Sequence, residues 1–352
     1  MTVDISQPAP CQHRLHIRVL PELIQPVREG VVREFQRDAN IAGFRKGKAP
    51  RELVEGRFPT EIREETLRRL TRQVFEQVQE ERRLKPVGPF EVTKLAFDEA
   101  KGLDLEADVE VEPDFSLGSY REIPLTRRPP AVTPEEIDQV LKQLQESAAQ
   151  LVPTNEGQKE KQLPAIDDDL AKELGQENLQ QLKAHLEAKL RERKKSEATQ
   201  ALEQELCEAL VSRHPFEVPP RLVAKQQERL ARDFQARLLL AGRTEEQIKA
   251  DLVGYTEQLQ TNALRHVKLA FILDRIAEQE QLAVTQEEIV DRLWTLAKQW
   301  DKDPAEVRRL LDAKGWWPSV VSSIRQDKTI AWLLNAARIE DQKLMNAPVN
   351  SE

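Results

Sequence analysis

The chain has 352 residues, 32% of them charged and 39% hydrophobic, with a formal net charge of −8, a balance typical of soluble, helix-rich proteins of two or more domains. No run of about 18 apolar residues occurs, and Met1 to Pro10 lack the basic and apolar segments of a secretory signal, so we expect no membrane span and a cytoplasmic location. Cys11 and Cys207 lie far apart and fit no metal-ligand spacing, which favours free thiols over a disulfide.

Alternating residues near the front of the chain predict strands of one antiparallel sheet. Leu15, Ile17 and Val19 alternate with basic residues, and apolar residues from Leu103 to Val111 alternate with acidic ones. A further strand is predicted from Phe90 to Phe97. Because one polar face is basic and the other acidic, we expect the first two strands to pair, each opposite-charge contact contributing roughly 0.2 to 1 kcal/mol.

Helical periodicity occupies the residues between these strands, from Leu23 to Asn40 and from Glu61 to Arg83. Residues 1–126 therefore predict an α+β domain, a small antiparallel sheet with helices. Residues 1–90 contain 17 Lys and Arg against 13 Asp and Glu, whereas the whole chain is acidic. Four excess charges are within chance, but they favour an anionic partner at this end of the chain only.

The loop between these helices contains the most specific signal of the chain. Gly43 and Gly47 permit backbone angles that other residues resist, and Pro50 blocks helix continuation. Phe44 has no obvious neighbour to pack against within the loop. The cations that follow it suit phosphate or carboxylate groups. We predict a docking site for a mixed protein and nucleic-acid target, formed by Gly43, Phe44, Arg45, Lys46, Gly47, Lys48 and Pro50. The alternative is an ordinary connecting loop with Phe44 folded into the core and solvated cations.

The residues GFRKGKAP, from Gly43 to Pro50, resemble the ribosome-binding signature of bacterial trigger factor. The resemblance extends from Arg14 to Glu112 and resumes at Leu163 to Gly175 and at Phe216 to Pro220. It implies a chaperone that works without ATP, docks on the large ribosomal subunit beside the tunnel exit and holds unfolded nascent polypeptides. Members of this family often dimerise when free, so the resemblance leaves two states open for the free protein, a monomer and a homodimer.

Residues 127–162 are predicted to form an arm helix followed by a linker. Thr133 to Glu136 place an N-cap, a first-turn proline and two acids at a helix start, and that helix is predicted to run to about Leu151. Residues 153–162 are polar and without periodicity. Trigger factors commonly carry a prolyl-isomerase domain of the FK506-binding-protein type here, which ten residues cannot encode. We therefore expect no isomerase domain, no enzymatic activity and no cofactor.

Residues 163–345 predict an all-α domain, and residues 346–352 a disordered tail. Leucines recur at three- and four-residue spacing, as at Leu179, Leu182 and Leu186. The spacing between helices is irregular, which argues against a solenoid or a sustained heptad and favours an elongated, open helical array.

All five tryptophans fall in about the last sixty residues: Trp294, Trp300, Trp316, Trp317 and Trp332. They indicate either a small helical core or an apolar surface for unfolded clients. Trp316 and Trp317 lie between a glycine and a proline, so the two indoles cannot both face one core. Candidates for client contact are Trp316, Trp317, Val320, Ile324 and Trp332.

Catalytic and metal sites find little support in the sequence. The five histidines show no zinc spacing, and Gly43 to Lys48 lacks the spacing of a phosphate-binding loop. Two function classes therefore remain. One is a ribosome-associated holdase, and the other is a helical scaffold, or an assembly or envelope chaperone, that does not bind ribosomes.

Overall fold

A computed structural model describes residues 1–148, 150–153 and 159–342. Its helices in chain order are α1 (Pro21–Asp38), α2 (Arg51–Arg57), α3 (Pro59–Arg82), α4 (Pro134–Ser147), α5 (Asp168–Glu173), α6 (Leu179–Arg213), α7 (Pro220–Leu240), α8 (Glu245–Gln279), α9 (Gln286–Trp300), α10 (Pro304–Lys314) and α11 (Trp317–Ala336). Its strands are β1 (Thr2–Ala9), β2 (Gln12–Val19), β3 (Glu91–Asp98), β4 (Gly102–Glu110), β5 (Pro124–Arg127), β6 (Gln150–Pro153), β7 (Lys159–Gln162) and β8 (Arg338–Asp341).

The chain divides into two compact units, and each is built from two separate segments. The first unit combines Met1–Leu117 with His214–Arg275, and the second combines Gly118–Arg213 with Ile276–Glu352. The predicted α+β front is confirmed, and so is the helical character of the remainder, but the strand β8 shows that the remainder is not all-α. The predicted domain boundaries at 126, 162 and 345 stay predictions, and the tail predicted at 346–352 lies outside the described residues.

The first unit contains a four-stranded antiparallel sheet in the order β1-β2-β4-β3. The predicted pairing of β2 with β4 is confirmed, with Ile17 opposite Leu105 on the buried face. On the outer face, Arg14 donates to Asp108 at 2.8 Å and Arg18 donates to Asp104 at 3.2 Å. Opposite charges therefore fix the same register that the apolar alternation favours.

Helices α1 and α3 cover the inner face of this sheet. Ile24 of α1 and Leu70, Val74 and Val78 of α3 join the strand residues in one buried cluster. The two predicted helices lie within two residues of the observed ends of α1 and α3, but α2 was not predicted. Its Val54 closes a second small core with α1 and α3, so α2 exists because of tertiary packing.

In the second unit, α4 packs on α6 through Leu141, Leu182 and Leu186. The N-cap predicted at Thr133 is present, and Glu136 completes a capping box with it. The helix ends at Ser147 rather than near Leu151, and β6 follows and pairs antiparallel with β7.

The prediction of a linker without regular structure was therefore wrong. Residues 153–162 contain β7 and the last residue of β6, although residues 154–158 lie outside the described part of the chain. Regular structure breaks after Arg127, which ends β5 and pairs in parallel register with Asp341 of β8. Of the helices in the described part of the chain, none has the length and apolar character needed to cross a membrane.

Candidate functional site

The predicted docking loop connects α1 to α2 in the first unit. Gly43 and Gly47 have φ angles of +89° and +81°, the left-handed region that glycine adopts without strain. Two turns shape the loop, because the Phe44 N–H donates to the Ile41 carbonyl at 3.1 Å and the Lys48 N–H donates to the Arg45 carbonyl at 2.9 Å. The loop therefore has a defined backbone path, as the glycines predicted.

Phe44 remains exposed at this turn, with 43% of its surface accessible. The small core beneath the loop is filled instead by Phe35, Phe58 and Ile41, which pack against its buried residues. The Phe35 and Phe58 rings lie 5.9 Å apart, and Ala49 buries the end of the loop in the same core. The alternative in which Phe44 folds back into the core is therefore wrong.

Arg45, Lys46 and Lys48 follow the exposed ring in the chain, and Lys46 has a carboxylate near it. The Lys46 ammonium is 4.0 Å from Asp38, whose carboxylate also accepts hydrogen bonds from Arg37. These bonds lower the pKa of Asp38, so it stays ionised. Within the described residues, no carboxylate lies within 4 Å of the Arg45 or Lys48 charge. The loop thus combines an apolar ring with cations that are free to meet an anionic surface.

The structure does not bring the predicted client-contact residues together on one exposed surface. Trp316 is exposed, with 48% of its surface accessible, as the argument from two adjacent indoles required of one of them. Trp317 and Val320 are half-buried against the cluster of α9 and α10, and the Trp317 indole N–H donates to Asp312 at 2.6 Å. Ile324 is only 6% exposed, so it offers almost no surface to a partner.

Trp332 belongs to a polar and aromatic cluster rather than to an open apolar wall. The Arg121 guanidinium carbon lies 5.4 Å from the Trp332 ring centroid, and Tyr120 lies 6.5 Å away, ring to ring. Tyr120 donates to Glu280 at 2.7 Å, and Arg121 donates to both oxygens of the same carboxylate. The pKa of Glu280 is lowered by these bonds. Trp332 therefore helps to hold these segments together.

The pattern of the sequence did not identify several other exposed apolar side chains. Leu240 is 90% exposed at the end of α7, and Val253 of α8 belongs to the same unit. Trp294 and Val290 form an exposed pair one turn apart on α9 in the second unit. A run of three leucines ending at Leu240 is the signal that was available, because three consecutive residues cannot share one helix face.

Neither cysteine has the surroundings of a reactive thiol. The buried Cys11 thiol donates to the Glu217 carbonyl at 3.4 Å, and burial raises its pKa. Burial also raises the pKa of Cys207 to about 11. Across the described residues, no three His, Cys, Asp or Glu side chains are grouped as metal ligands.

Comparisons with known proteins agree along most of the chain. The family profile described as "Bacterial trigger factor protein (TF)" matches residues 1–144, and that of "Bacterial trigger factor protein (TF) C-terminus" matches residues 178–335. A protein named "Trigger factor" from Anaeromyxobacter sp. (strain Fw109-5) is 24% identical over 428 residues, covering 97% of this chain and 100% of the relative. Another of that name from Geobacillus sp. (strain WCH70) is 26% identical over 408 residues, covering 90% and 95%.

One solved structure is similar over nearly its full length. It is described as "Promiscuous Substrate Recognition in Folding and Assembly Activities of the Trigger Factor Chaperone" and has a TM-score of 0.52 at 19% identity. The match covers 95% of this chain and 99% of that chain. At this identity the likeness shows the fold.

Proposed function

Because the chain belongs to the trigger factor family, whose members are chaperones, we propose that it docks on the large ribosomal subunit and holds unfolded nascent polypeptides without ATP. The Phe44 loop is the proposed contact with protein and RNA beside the tunnel exit. The helical remainder of the chain is the proposed shelter for emerging segments. A cytoplasmic location and a homodimeric free state belong to the same proposal.

The exposure of Phe44 is the observation that supports docking best. Burial of a large aromatic side chain normally stabilises the folded protein. The neighbouring Phe35 and Phe58 are partly buried in this way. Phe44 is instead presented on an ordered turn beside Arg45 and Lys46. Aromatic anchors of this kind often dominate an interface, and adjacent cations add a salt-sensitive attraction to phosphate groups.

Cosedimentation with purified large ribosomal subunits tests this proposal. The wild-type chain should sediment at low salt and be released progressively as salt rises. Alanine at Phe44, Arg45 and Lys46 together should abolish binding, because a hot-spot aromatic alone typically contributes about 2 kcal/mol or more. Thermal stability should change little, since the small core does not include these side chains.

A control variant makes the outcome decisive. Exposed Arg57 on α2 makes no ion pair among the described residues, so R57A with R51A supplies a matched loss of two charges outside the loop. That variant should keep most of the binding. Undiminished sedimentation of the triple variant at moderate salt would favour the scaffold or assembly chaperone that does not use ribosomes.

For client holding, the exposed apolar side chains are the proposed contacts. Trp316 keeps its predicted role, and Trp294, Leu240 and Val253 join it because their surfaces are open. Ile324 is withdrawn, since its burial leaves it no client surface. Such scattered apolar contacts suit unfolded segments of varied sequence.

We also propose that the chain has no prolyl-isomerase activity. The two family profiles leave residues 145–177 unmatched between them. The alignment to the Anaeromyxobacter relative spans 428 residues, more than the 352 of this chain, so that relative contains residues without a counterpart here. These observations support the loss of an internal module.

A further inference from the structure

A shallow groove runs along the second half of α3, away from the docking loop in sequence. It encloses about 400 Å³ and is lined by α3 side chains between Arg68 and Gln79, together with Pro89 and Phe90 from the connection to β3. Its volume lies within the range of ligand sites in proteins. We call it the α3 groove.

The floor of the α3 groove is a stacked aromatic pair. The Phe75 and Phe90 rings stack with centroids 4.3 Å apart and planes 7° from parallel. Both rings are half-buried and pack against the sheet core. An apolar side chain entering the groove would therefore meet a preformed surface, which limits the entropy lost on binding.

An unpaired guanidinium lies beside this floor. Arg68 is bonded to Glu65, whereas the Arg72 guanidinium has no hydrogen-bond or ion-pair partner among the described residues. Glu76 lines the same groove one helical turn from Arg72, yet the two do not form the ion pair that this spacing allows. An exposed arginine next to an aromatic floor is thus available to an incoming carboxylate.

We propose that the α3 groove binds a polypeptide segment that carries an aromatic or large aliphatic side chain beside an acidic one. The apolar side chain packs on Phe75 and Phe90, and the carboxylate receives hydrogen bonds from Arg72. Thr71 and Gln79 can bond to the backbone of the segment. Glu76 disfavours a nucleic-acid strand, because a polyanion requires a continuous track of cations.

The experiment uses the full-length chain and two fluorescein-labelled peptides that differ only in charge. One contains Asp-Phe-Asp within a glycine and serine frame, and the other contains Lys-Phe-Lys in the same frame. Fluorescence anisotropy should show salt-sensitive binding of the acidic peptide and at least roughly tenfold weaker binding of the basic one, as the loss of one charged hydrogen bond implies.

The decisive variant is Arg72→Glu, since it reverses the charge that faces the ligand. It should weaken binding of the acidic peptide by roughly tenfold or more. Arg57→Glu is the matched control, because Arg57 is also exposed, forms no ion pair among the described residues and lies outside the groove. That control should bind the acidic peptide as the wild type does. Both variants should keep the wild-type circular dichroism and melting temperature.

A second variant, Gln79→Trp, tests the groove without changing charge. Its indole should occupy part of the groove and weaken binding of the acidic peptide, while the fold is retained. Three results would overturn the proposal: equal binding of both peptides, equal losses in the two charge-reversal variants, or no loss in Gln79→Trp. Binding of a single-stranded oligonucleotide that Arg72→Glu abolishes, with no peptide bound, would assign the groove to nucleic acid instead.

Discussion

Three phenylalanines around the docking loop show how differently one residue type behaves at neighbouring sites. Phe35 and Phe58 contact each other above buried valines, whereas Phe44 extends from a turn held by Gly43 and Gly47. Two backbone hydrogen bonds, from Phe44 to Ile41 and from Lys48 to Arg45, hold the turns on which Phe44 is exposed. Its exposure is therefore a property of the loop backbone, which is why the two glycines were informative in the sequence.

The two adjacent tryptophans allow a prediction at the residue scale. Trp316→Ser should weaken the suppression of aggregation of an unfolded client and leave the urea midpoint unchanged, because Trp316 is exposed. Trp317→Ser should lower the free energy of unfolding by about 2 kcal/mol, since it removes half-buried contacts and a hydrogen bond to Asp312. Urea titrations and a light-scattering assay measure both effects.

Trp300→Ser is a control for the loss of an indole as such, because Trp300 is also exposed but was not assigned to the client surface. If Trp316→Ser unfolds the protein, the residue is structural and its proposed role is lost. If Trp316→Ser holds clients as well as the wild type does, client contact lies elsewhere.

Acid stability can be predicted from Asp108 on the outer face of the sheet. Hydrogen bonds from Arg14 hold the pKa of Asp108 below its ordinary value of 3.8. A carboxyl whose pKa is depressed by folding stabilises the protein above its unfolded pKa and loses that contribution as pH falls through the folded pKa. Asp108→Asn should therefore destabilise the protein at pH 7, and the difference from wild type should shrink below about pH 4.

Urea midpoints between pH 7 and pH 3 measure this difference. Asp114→Asn is a suitable control, because Asp114 is exposed and makes no ion pair among the described residues. A constant difference between Asp108→Asn and wild type over the whole pH range would contradict the electrostatic account.

At the scale of elements, the sequence predicted those parts of the fold whose pattern is local. The β2 and β4 strands were recognisable because each alternates strictly and their outer charges are opposite. The edge strand β1 was missed because its short polar run around Ser6 resembles a loop. β5 and β8 pair across more than two hundred residues, and no local pattern indicates such a partner.

A buried carboxylate at the end of β4 was likewise invisible in the sequence. Glu110 is 4% exposed, and its Oε1 accepts the backbone N–H of Arg221 at 2.9 Å, at the start of α7. The residue at the N-cap of α7 is Pro219, which has no side-chain acceptor. Glu110 thus supplies the missing cap from another element, and Arg221 adds an ion pair to Glu91 at 2.8 Å.

Glu110→Gln should lower the free energy of unfolding by roughly 0.5 to 2 kcal/mol, because it removes the negative charge from the helix N-terminus and buries an extra amide donor. Amide hydrogen exchange should quicken in the first turn of α7. The control is Glu112→Gln, an exposed residue whose partner is Lys85 at 3.3 Å, which should change stability by less than about 0.5 kcal/mol. Equal effects of the two substitutions would show that Glu110 does not act as a cap.

At the scale of the whole molecule, the sequence predicted the secondary structure of each segment better than it predicted which segments pack together. The segment His214–Arg275 belongs to the first unit although it is helical like the residues on either side of it. Helical periodicity indicates which face of a helix is buried, but it does not indicate which segment packs against that face. The stacked pair of Phe115 and Phe216, 4.1 Å apart, is one of the contacts that joins the two segments of this unit.

The absence of isomerase activity is a prediction about the whole chain, and it can be separated from chaperone activity in one experiment. A client whose refolding is limited by proline isomerisation should refold in the presence of this protein no faster than alone, with a phase of tens to hundreds of seconds at 25 °C. The same protein should keep an aggregating client dispersed without nucleotide.

An FK506-binding prolyl isomerase added to the refolding assay is the positive control, because it shows that the slow phase responds to catalysis. Acceleration by this protein would mean that the residues between the two matched family regions, or another part of the chain, catalyse isomerisation.

A holdase can also slow refolding by keeping the client bound. The refolding rate is therefore measured at several chaperone concentrations and extrapolated to zero chaperone. Catalysis makes the initial slope positive, whereas holding makes it zero or negative, and we expect the latter.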